Sequence, residues 1–276
     1  MRRGPALPPD IGSCVRRALN EDIGAGDVTA ELLPRQQAEA VVISREEAVL
    51  CGIPWFNEVY KQLDEAVEIR WHAGDGDALR PDMTVCTLYG PIRSLLTGER
   101  TALNFLQLLS GTATVTRRYA DHLSGTTCRL LDTRKTLPGL RTAQKYAVAC
   151  GGGQNHRMGL YDAILIKDNH IRAAGGIGAA LRKAQSMHRS VEIEVESLEQ
   201  LQEALDAGAT RILLDNFDLE TMAEAVSLNG GRAELEVSGG VGEEQLRPIA
   251  ATGVDYISVG ALTKHVRAVD FSMRVV

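Results

Sequence analysis

The sequence predicts an α/β protein in which a small N-terminal α+β layer precedes a C-terminal (β/α) barrel of six to seven strands. Three observations support this prediction. After about residue 126, short apolar runs recur, and each run ends on a polar residue or a glycine. The later runs follow one another every 19 to 23 residues, and the segments between them have helical patterns. Because repeated strand–helix units build parallel sheets, we expect such a sheet in the C-terminal part.

The composition is that of a globular protein of one or two domains: 276 residues, 44% hydrophobic and 24% charged, with a net charge of −6. No apolar run approaches the ~18 residues of a membrane span, and the start, MRRGPALPPDIGS, lacks the apolar core of a secretory signal. The acidic balance and the 4% aromatic content disfavour a nucleic-acid binder. The five scattered cysteines include no C-x-x-C pair, which favours a reduced, cytoplasmic setting.

The first 110 residues predict short elements followed by one long helix. A helix is predicted at 9–19, a turn-rich loop at 20–29 and a second helix around 55–63. Stretches rich in β-branched residues and bordered by Gly, Pro or Asp predict strands at 40–43, 66–71 and 84–88. A wide apolar stripe predicts a helix over 92–110, and Gly111 is expected to end it.

Six apolar runs are the strand candidates of the C-terminal part, at 129–135, 163–170, 191–197, 211–216, 235–240 and 256–261. Ser197 and Gln200 have the spacing of a helix capping box after the third run, and Gly208 is a plausible stop for that helix. An open doubly wound sheet and a closed barrel both fit this order. The barrel is favoured because polar residues follow the strands, whereas no complete glycine fingerprint of a dinucleotide fold is present.

The polar residues at the strand ends suggest chemistry on an anionic sugar phosphate. Segment 129–172 has eight Lys/Arg and three Asp/Glu, whereas segment 190–260 has three and fifteen. Arginine and lysine suit carboxylates, and paired acids suit sugar hydroxyls, Mg²⁺ or a developing cation. Glycines that end the last two strands let backbone N–H groups approach a phosphate. The combination favours phosphoribosyl transfer, although many sugar-phosphate barrels share the phosphate site. The residues concerned are Arg134, Lys135, His156, Arg157, Lys167, Glu196, Asp215, Ser238, Gly239, Gly240 and Gly260.

Residues 132–171, DTRKTLPGLRTAQKYAVACGGGQNHRMGLYDAILIKDNHI, closely resemble the signature stretch of the quinolinate phosphoribosyltransferase family. Further matches are EDIGAGDVTA, GERTALNFLQLLSG, IEVE, LLDNF, LEVSGG and ISVGALTKHV. The resemblance implies an open α/β sandwich at 1–112, joined by the tail 266–276, and an α/β barrel of about seven strands at 113–265. It also implies a homodimer or hexamer in which each barrel mouth faces the neighbour's N-terminal domain.

The resemblance assigns roles to individual residues. It implies that the two carboxylates of quinolinate are held by Arg134, His156, Arg157 and Lys167, with Thr133 also in the substrate site and Arg100 supplied by the partner subunit. Lys135 matches a residue that reaches phosphoribosyl pyrophosphate (PRPP) and the acceptor. Glu196 and Asp215 match acids that contact ribose hydroxyls and Mg²⁺ bound with PRPP, and with Lys135 they form the expected catalytic set. Ser238, Gly239, Gly240 and Gly260 match the 5′-phosphate site.

The implied reaction transfers phosphoribosyl from PRPP to quinolinate with decarboxylation, giving nicotinate mononucleotide, pyrophosphate and CO₂ for NAD synthesis. Two alternatives stay open. One is a related phosphoribosyltransferase that uses another pyridine acid and releases no CO₂. The other is a non-catalytic, anion-binding barrel, which the acids among the expected site residues disfavour.

Overall fold

A computed structural model describes residues 5–276 of the chain. The helices and strands, in chain order, are α1 (Ile11–Ile23), β1 (Gln37–Ser44), β2 (Ala48–Val49), α2 (Ile53–Leu63), β3 (Glu68–Trp71), β4 (Ala78–Leu79), β5 (Thr84–Pro91), α3 (Ile92–His122), β6 (Arg129–Leu131), α4 (Arg141–Gly151), β7 (Ala163–Ile166), α5 (Asp168–Ala174), α6 (Ile177–Gln185), β8 (Ser190–Val195), α7 (Leu198–Asp206), β9 (Arg211–Asp215), α8 (Leu219–Asn229), β10 (Glu234–Ser238), α9 (Leu246–Ala251), β11 (Tyr256–Ser258), α10 (Ala261–Lys264) and β12 (Phe271–Val275). Short 3₁₀ turns lie at Ala30–Leu32 and Glu243–Gln245.

The chain forms two compact units. The first contains the described residues up to Arg117 together with Thr136–Gly152 and Leu262–Val276, and the second contains Arg118–Lys135 and Gly153–Ala261. The predicted domains, 1–112 with 266–276 and 113–265, differ from these units chiefly at Thr136–Gly152. This segment packs with the first unit because α4 buries side chains such as Tyr146 and Ala147 in that unit's core.

The first unit is built on an antiparallel sheet with the strand order β12-β1-β5-β3. Val42 in β1 lies opposite Met273 in β12 on one side and opposite Cys86 in β5 on the other. The expectation that the C-terminal tail returns to the N-terminal sheet is therefore confirmed. Trp55 and Phe56 of α2 are fully buried in the core beneath the sheet.

The long helix α3 continues to His122, so the prediction that Gly111 ends it is wrong. A Cβ atom at Gly111 would lie 2.2 Å from the backbone oxygen of Arg267. The glycine is therefore explained by the close approach of the chain segment before β12, and not by a helix stop.

The second unit contains a parallel sheet with the order β6-β11-β10-β9-β8-β7. Gln154 adds a parallel bridge to Leu131 on the far side of β6, in the place of a seventh strand. All six predicted strands are present, but several end earlier than predicted; the run at 163–170 ends its strand at Ile166, and α5 begins at Asp168. The fold class predicted from the sequence is thus confirmed.

The alternation of side chains along these strands places charged residues on the inner face of the sheet. Glu192 and Glu194 share that face on β8, and Arg211 and Glu236 lie on it in β9 and β10, where Glu192 and Glu236 are buried. His156, which follows the Gln154 bridge, reaches both of these acids, so the sheet curls around a polar interior. The carboxyl ends of all strands meet at one edge of this parallel sheet.

Among residues 5–276, no helix combines the length and the apolar character that crossing a bilayer requires.

Candidate active site

A cavity of about 220 Å³ opens within the second unit near the carboxyl ends of its strands. Its wall includes seven residues that the sequence singles out: Thr133, Arg134, Lys135, His156, Arg157, Lys167 and Ser238. The remaining wall consists of Leu165, Glu194, Leu213, Glu236 and Ser258. Residues more than a hundred positions apart in the sequence therefore line one cavity, as the barrel interpretation requires.

The other predicted site residues lie outside this wall. Asp215 ends β9, half-buried, directly opposite Ser238 in the sheet register, and its Oδ2 accepts a hydrogen bond from Asn216. Glu196 follows β8 and is exposed. Arg100 is exposed on the part of α3 that belongs to the first unit.

The glycines predicted to hold a phosphate sit where a side chain would collide or be strained. Gly239 and Gly240 have φ values of 110° and 60°, and a Cβ at Gly239 would lie 2.3 Å from the Asn216 side-chain oxygen. A Cβ at Gly260 would lie 2.8 Å from the Cδ atom of Lys135. Glycine at 239 and 260 is thus explained by the close approach of Asn216 and Lys135, whereas a Cβ at Gly240 would meet nothing within 4 Å, so the backbone there is open to a ligand such as the predicted phosphate.

Two arginines give the cavity a basic wall. Arg157 donates from Nη1 to the backbone oxygen of Ala163 at 3.2 Å. Burial, followed by repulsion from the charge of Arg134, lowers the pKa of Arg157. Such mutual repulsion is relieved when an anion lies between the two guanidinium groups, so this wall is suited to a carboxylate.

Lys167 forms an ion pair with Glu194 from the neighbouring strand β8. The lysine side chain is 47% exposed and that of Glu194 is 11% exposed, so the acid is the more firmly held partner. Glu194 therefore orients the lysine at the cavity wall while leaving much of its side chain open to a ligand.

His156, one of the wall residues, also contacts two buried acids, Glu192 and Glu236. Its Nε2 atom lies 2.8 Å from a Glu192 oxygen and 3.6 Å from a Glu236 oxygen. Arg211 bonds both acids, through Nε to Glu192 at 3.2 Å and through Nη2 to Glu236 at 2.7 Å. We refer to His156, Glu192, Arg211 and Glu236 as the floor cluster.

Contacts within the floor cluster shift the pKa values of its two acids in opposite directions. Burial acts to lower the pKa of His156, but the hydrogen bond to Glu192 and the two nearby carboxylates outweigh it and raise this pKa. Burial acts to raise the pKa of Glu192, but His156 and Arg211 outweigh it. Burial and the charge of Glu192 raise the pKa of Glu236 to about 7, against His156 and Arg211. Competition between adjacent acids for one cationic partner accounts for the divergence.

Asp132, which is fully buried, positions the segment that carries His156. Its carboxylate accepts hydrogen bonds from the Asn155 side chain at 2.6 Å and from the His156 backbone N–H at 2.9 Å. The DTRK stretch (132–135) therefore contributes two basic residues of the wall, Arg134 and Lys135, and also the acid that holds the segment with His156 in place.

The interpretation of the sequence considered strand ends and missed the acids inside the barrel. These acids are Asp132, Glu192, Glu194 and Glu236, and Arg211, which pairs with two of them, was missed as well. The strict alternation in VEIEVE was the available signal, because alternate residues of a strand face the same side and here that side is acidic. Acids at these positions have to be paired with cations, which is the arrangement observed.

Comparison with known proteins identifies the family of the chain. The model of the quinolinate phosphoribosyl transferase C-terminal domain matches residues 112–274, and that of the N-terminal domain matches 27–110. A probable carboxylating nicotinate-nucleotide pyrophosphorylase of Bacillus subtilis is 44% identical over 259 residues, covering 92% of this chain and 90% of the relative. A counterpart in Synechocystis is 41% identical, covering 98% and 95%.

Solved structures give the same result. The nicotinate-nucleotide pyrophosphorylase of Francisella tularensis superposes with a TM-score of 0.96 at 49% identity, and the match covers 98% of each chain. Both halves of the chain match the same two-domain family, over nearly the whole length. The chain belongs to the quinolinate phosphoribosyltransferase family.

Proposed function

We propose that this protein transfers the phosphoribosyl group of PRPP to quinolinate and decarboxylates the product, giving nicotinate mononucleotide, pyrophosphate and CO₂ for NAD synthesis. One observation carries the proposal: a single small cavity gathers Arg134, Lys135, His156, Arg157 and Lys167. A site so rich in cations suits a compact molecule with two carboxylates. The names of the relatives at 41–44% identity support the same reaction.

Quinolinate binding follows from the chemistry of the wall. Arginine binds a carboxylate through two parallel hydrogen bonds, which would fix the plane of the pyridine ring. Lys167 supplies a point charge for the second carboxylate, and Glu194 holds it in position. Positioning of the ring nitrogen toward the ribose carbon then follows from anchoring both carboxylates.

PRPP would lie along the edge formed by β8 to β11. Its 5′-phosphate would be held at Ser238, Gly239, Gly240 and Gly260, and the open space at Gly240 and the Lys135 side chain beside Gly260 support this placement. Glu196 follows β8 and Asp215 ends the adjacent parallel strand β9, and their carboxylate oxygens can bind Mg²⁺ and accept hydrogen bonds from ribose hydroxyls. The donor set thus fits Mg²⁺, which when bound with PRPP would neutralise charge on the departing pyrophosphate.

The transfer step develops positive charge on the ribose ring as the bond to pyrophosphate breaks. Carboxylates at Glu196 and Asp215 would stabilise this charge more in the transition state than in the ground state. The bond between the ring nitrogen and C1 of the ribose makes that nitrogen cationic. It then accepts electron density as the adjacent carboxylate leaves as CO₂.

We also propose that the protein is cytoplasmic and works as a homodimer or hexamer, with Arg100 entering the cavity of a partner subunit. The exposed position of Arg100 on α3 leaves its side chain open to such a contact.

The test is to incubate the protein with PRPP, Mg²⁺ and quinolinate labelled in the 2-carboxylate, and to measure pyrophosphate and CO₂ together. We expect equal amounts of both, and neither without PRPP. Pyrophosphate release with nicotinate and no CO₂ release with quinolinate would instead support the alternative phosphoribosyltransferase. Quinolinate binding without pyrophosphate release from any pyridine acid would support a non-catalytic barrel.

A further inference from the structure

The floor cluster contains an acid that binding of an anion alone does not explain. Glu236 is completely buried, yet it forms part of the wall of the cationic cavity. One of its oxygens bonds Arg211, and the other, Oε1, has no hydrogen-bond partner among the described residues. A buried carboxylate with an unsatisfied oxygen is costly when ionised, whereas a protonated carboxyl group avoids most of that cost.

The groups around Glu236 come from every element that packs against it. Glu192 faces it from β8, Arg211 from β9, and Tyr256 and Ser258 from β11, with His156 from the segment after β6. The ring of Tyr256 lies 4.4 Å from the Arg211 guanidinium and holds it between the two acids. Arg211 and His156 must therefore serve two carboxylates, and Glu192 has the closer contact with the histidine.

This arrangement keeps a proton close to Glu236 near neutral pH, since its pKa is raised to about 7. A dianion that enters the cavity adds negative charge beside the same carboxyl group. Negative charge stabilises the protonated form of a neighbouring acid, so binding must draw a further fraction of a proton into the floor cluster.

We propose that Glu236 takes up a proton as quinolinate binds and donates it to the ring carbon from which CO₂ departs. The inference rests on the proposed function. In the step itself, the bond between ring carbon C2 and its carboxylate breaks, and the electron pair stays on C2 while CO₂ leaves. The O–H bond of Glu236 then breaks, a C2–H bond forms, and Glu236 is left as a carboxylate that water reprotonates before the next cycle.

Glu236 suits this role better than the lysines of the wall. Lys167 is paired with Glu194, whereas Glu236 has a pKa raised to about 7, which lets it both hold and release a proton at neutral pH. The floor cluster also holds its proton away from bulk water, because Glu192 and Glu236 are both buried. A buried donor can protonate the carbanion without opening the site.

The first test is calorimetry of quinolinate binding at pH 7 in two buffers of different ionisation enthalpy. We expect the wild type to take up as much as roughly half a proton per site, since an acid with a pKa equal to the pH is half protonated. Glu236→Gln should abolish this uptake. Glu234→Gln, on the same strand and near the same arginine but with a 53% exposed side chain, should retain it. Wild-type binding without proton exchange overturns the proposal.

The second test is a rapid-quench measurement of pyrophosphate and CO₂ in the first turnover. Glu236→Gln should release pyrophosphate in a burst while CO₂ release falls roughly 100-fold, since general acids contribute at least that much. Equal first-turnover yields of the two products from Glu236→Gln would refute the role of this acid. If the wild type itself releases neither product, it is the proposed function that fails.

Discussion

Individual residues in the cavity show how opposite charges prepare a site for an anion. Lys167 is paired with Glu194, and His156 is paired with Glu192, so each cation is already oriented when the ligand arrives. The acids reduce the net positive charge of the cavity, but they also reduce the reorganisation that binding demands. Because the side chains of Glu192 and Glu194 are largely buried, they pair with the cations without occupying the space that the ligand needs.

At this scale we predict that Lys167→Ala weakens quinolinate binding roughly 10- to 100-fold, about 1.5–3 kcal/mol, the range for a hydrogen bond to a charged group. The loss has two parts, because the substitution removes a cation and leaves Glu194 unpaired beside an anion. Isothermal calorimetry of the folded variant measures the effect. Lys183→Ala, an exposed lysine on α6, is the matched control and should bind normally.

A second substitution separates the loss of the cation from the effect of the unpaired Glu194. In the Lys167→Ala protein, Glu194→Gln should recover part of the affinity because it removes the unpaired acid. Near-normal affinity of Lys167→Ala alone would count against any role for this lysine in binding.

The sequence predicts that the site residues share one cavity, and seven of them do line one. Whether they and the remaining predicted residues bind substrate stays a prediction. The partners of those side chains were not predicted. Pairing between Lys167 and Glu194 depends on which strands are neighbours and on their register, which a single sequence does not specify.

Elements of secondary structure follow the sequence where local patterns suffice and depart from it where distant segments meet. Local patterns predict three strands of the first sheet and all six strands of the parallel sheet, whereas the pairing of β12 with β1 was expected only from the family resemblance. α3 was predicted too short because Gly111 has the properties of a helix stop. Its actual role is to let the backbone before β12 approach α3, a contact between residues 156 positions apart in the chain.

We therefore predict that Gly111→Ala lowers the free energy of unfolding by about 1–3 kcal/mol, as expected for overpacking against a rigid neighbour. The colliding atom belongs to the backbone of Arg267 and cannot rotate away. Urea unfolding followed by circular dichroism measures the change.

Gly12→Ala in α1 is the control for this substitution. There the nearest atom is a flexible side-chain oxygen of Glu58 at 3.3 Å, and alanine favours the helix. An unfolding midpoint of Gly111→Ala equal to that of the wild type would disprove the close-approach explanation.

At the scale of the whole molecule, the chain passes between its two units four times. The segment 136–152 lies within the signature stretch but contributes its buried helix face to the first unit. Sequence patterns do not tell which core receives the apolar side of α4, since both cores are apolar. In the proposed assembly, Arg100 would also contribute to the cavity of another subunit.

Mixing two inactive proteins tests this shared site. At a quinolinate concentration too low for either variant alone to be active, co-refolded or co-expressed mixtures of Arg100→Ala and Lys167→Ala should recover about a quarter of wild-type activity, because half of randomly assembled dimers contain one intact site out of two. Pyrophosphate release is the readout, and mass spectrometry verifies subunit exchange. Absence of rescue in verified mixed oligomers would show that Arg100 does not act across subunits.

The placement of β12 against β1 has a consequence for synthesis on the ribosome. The N-terminal sheet is missing one strand until Phe271–Val275 have been translated and have left the exit tunnel. Strand β1 is made early but completes its native pairing only then, and nascent chains must keep its free edge from aggregating in the meantime. A stop codon that removes Phe271–Val275 would leave that edge exposed permanently.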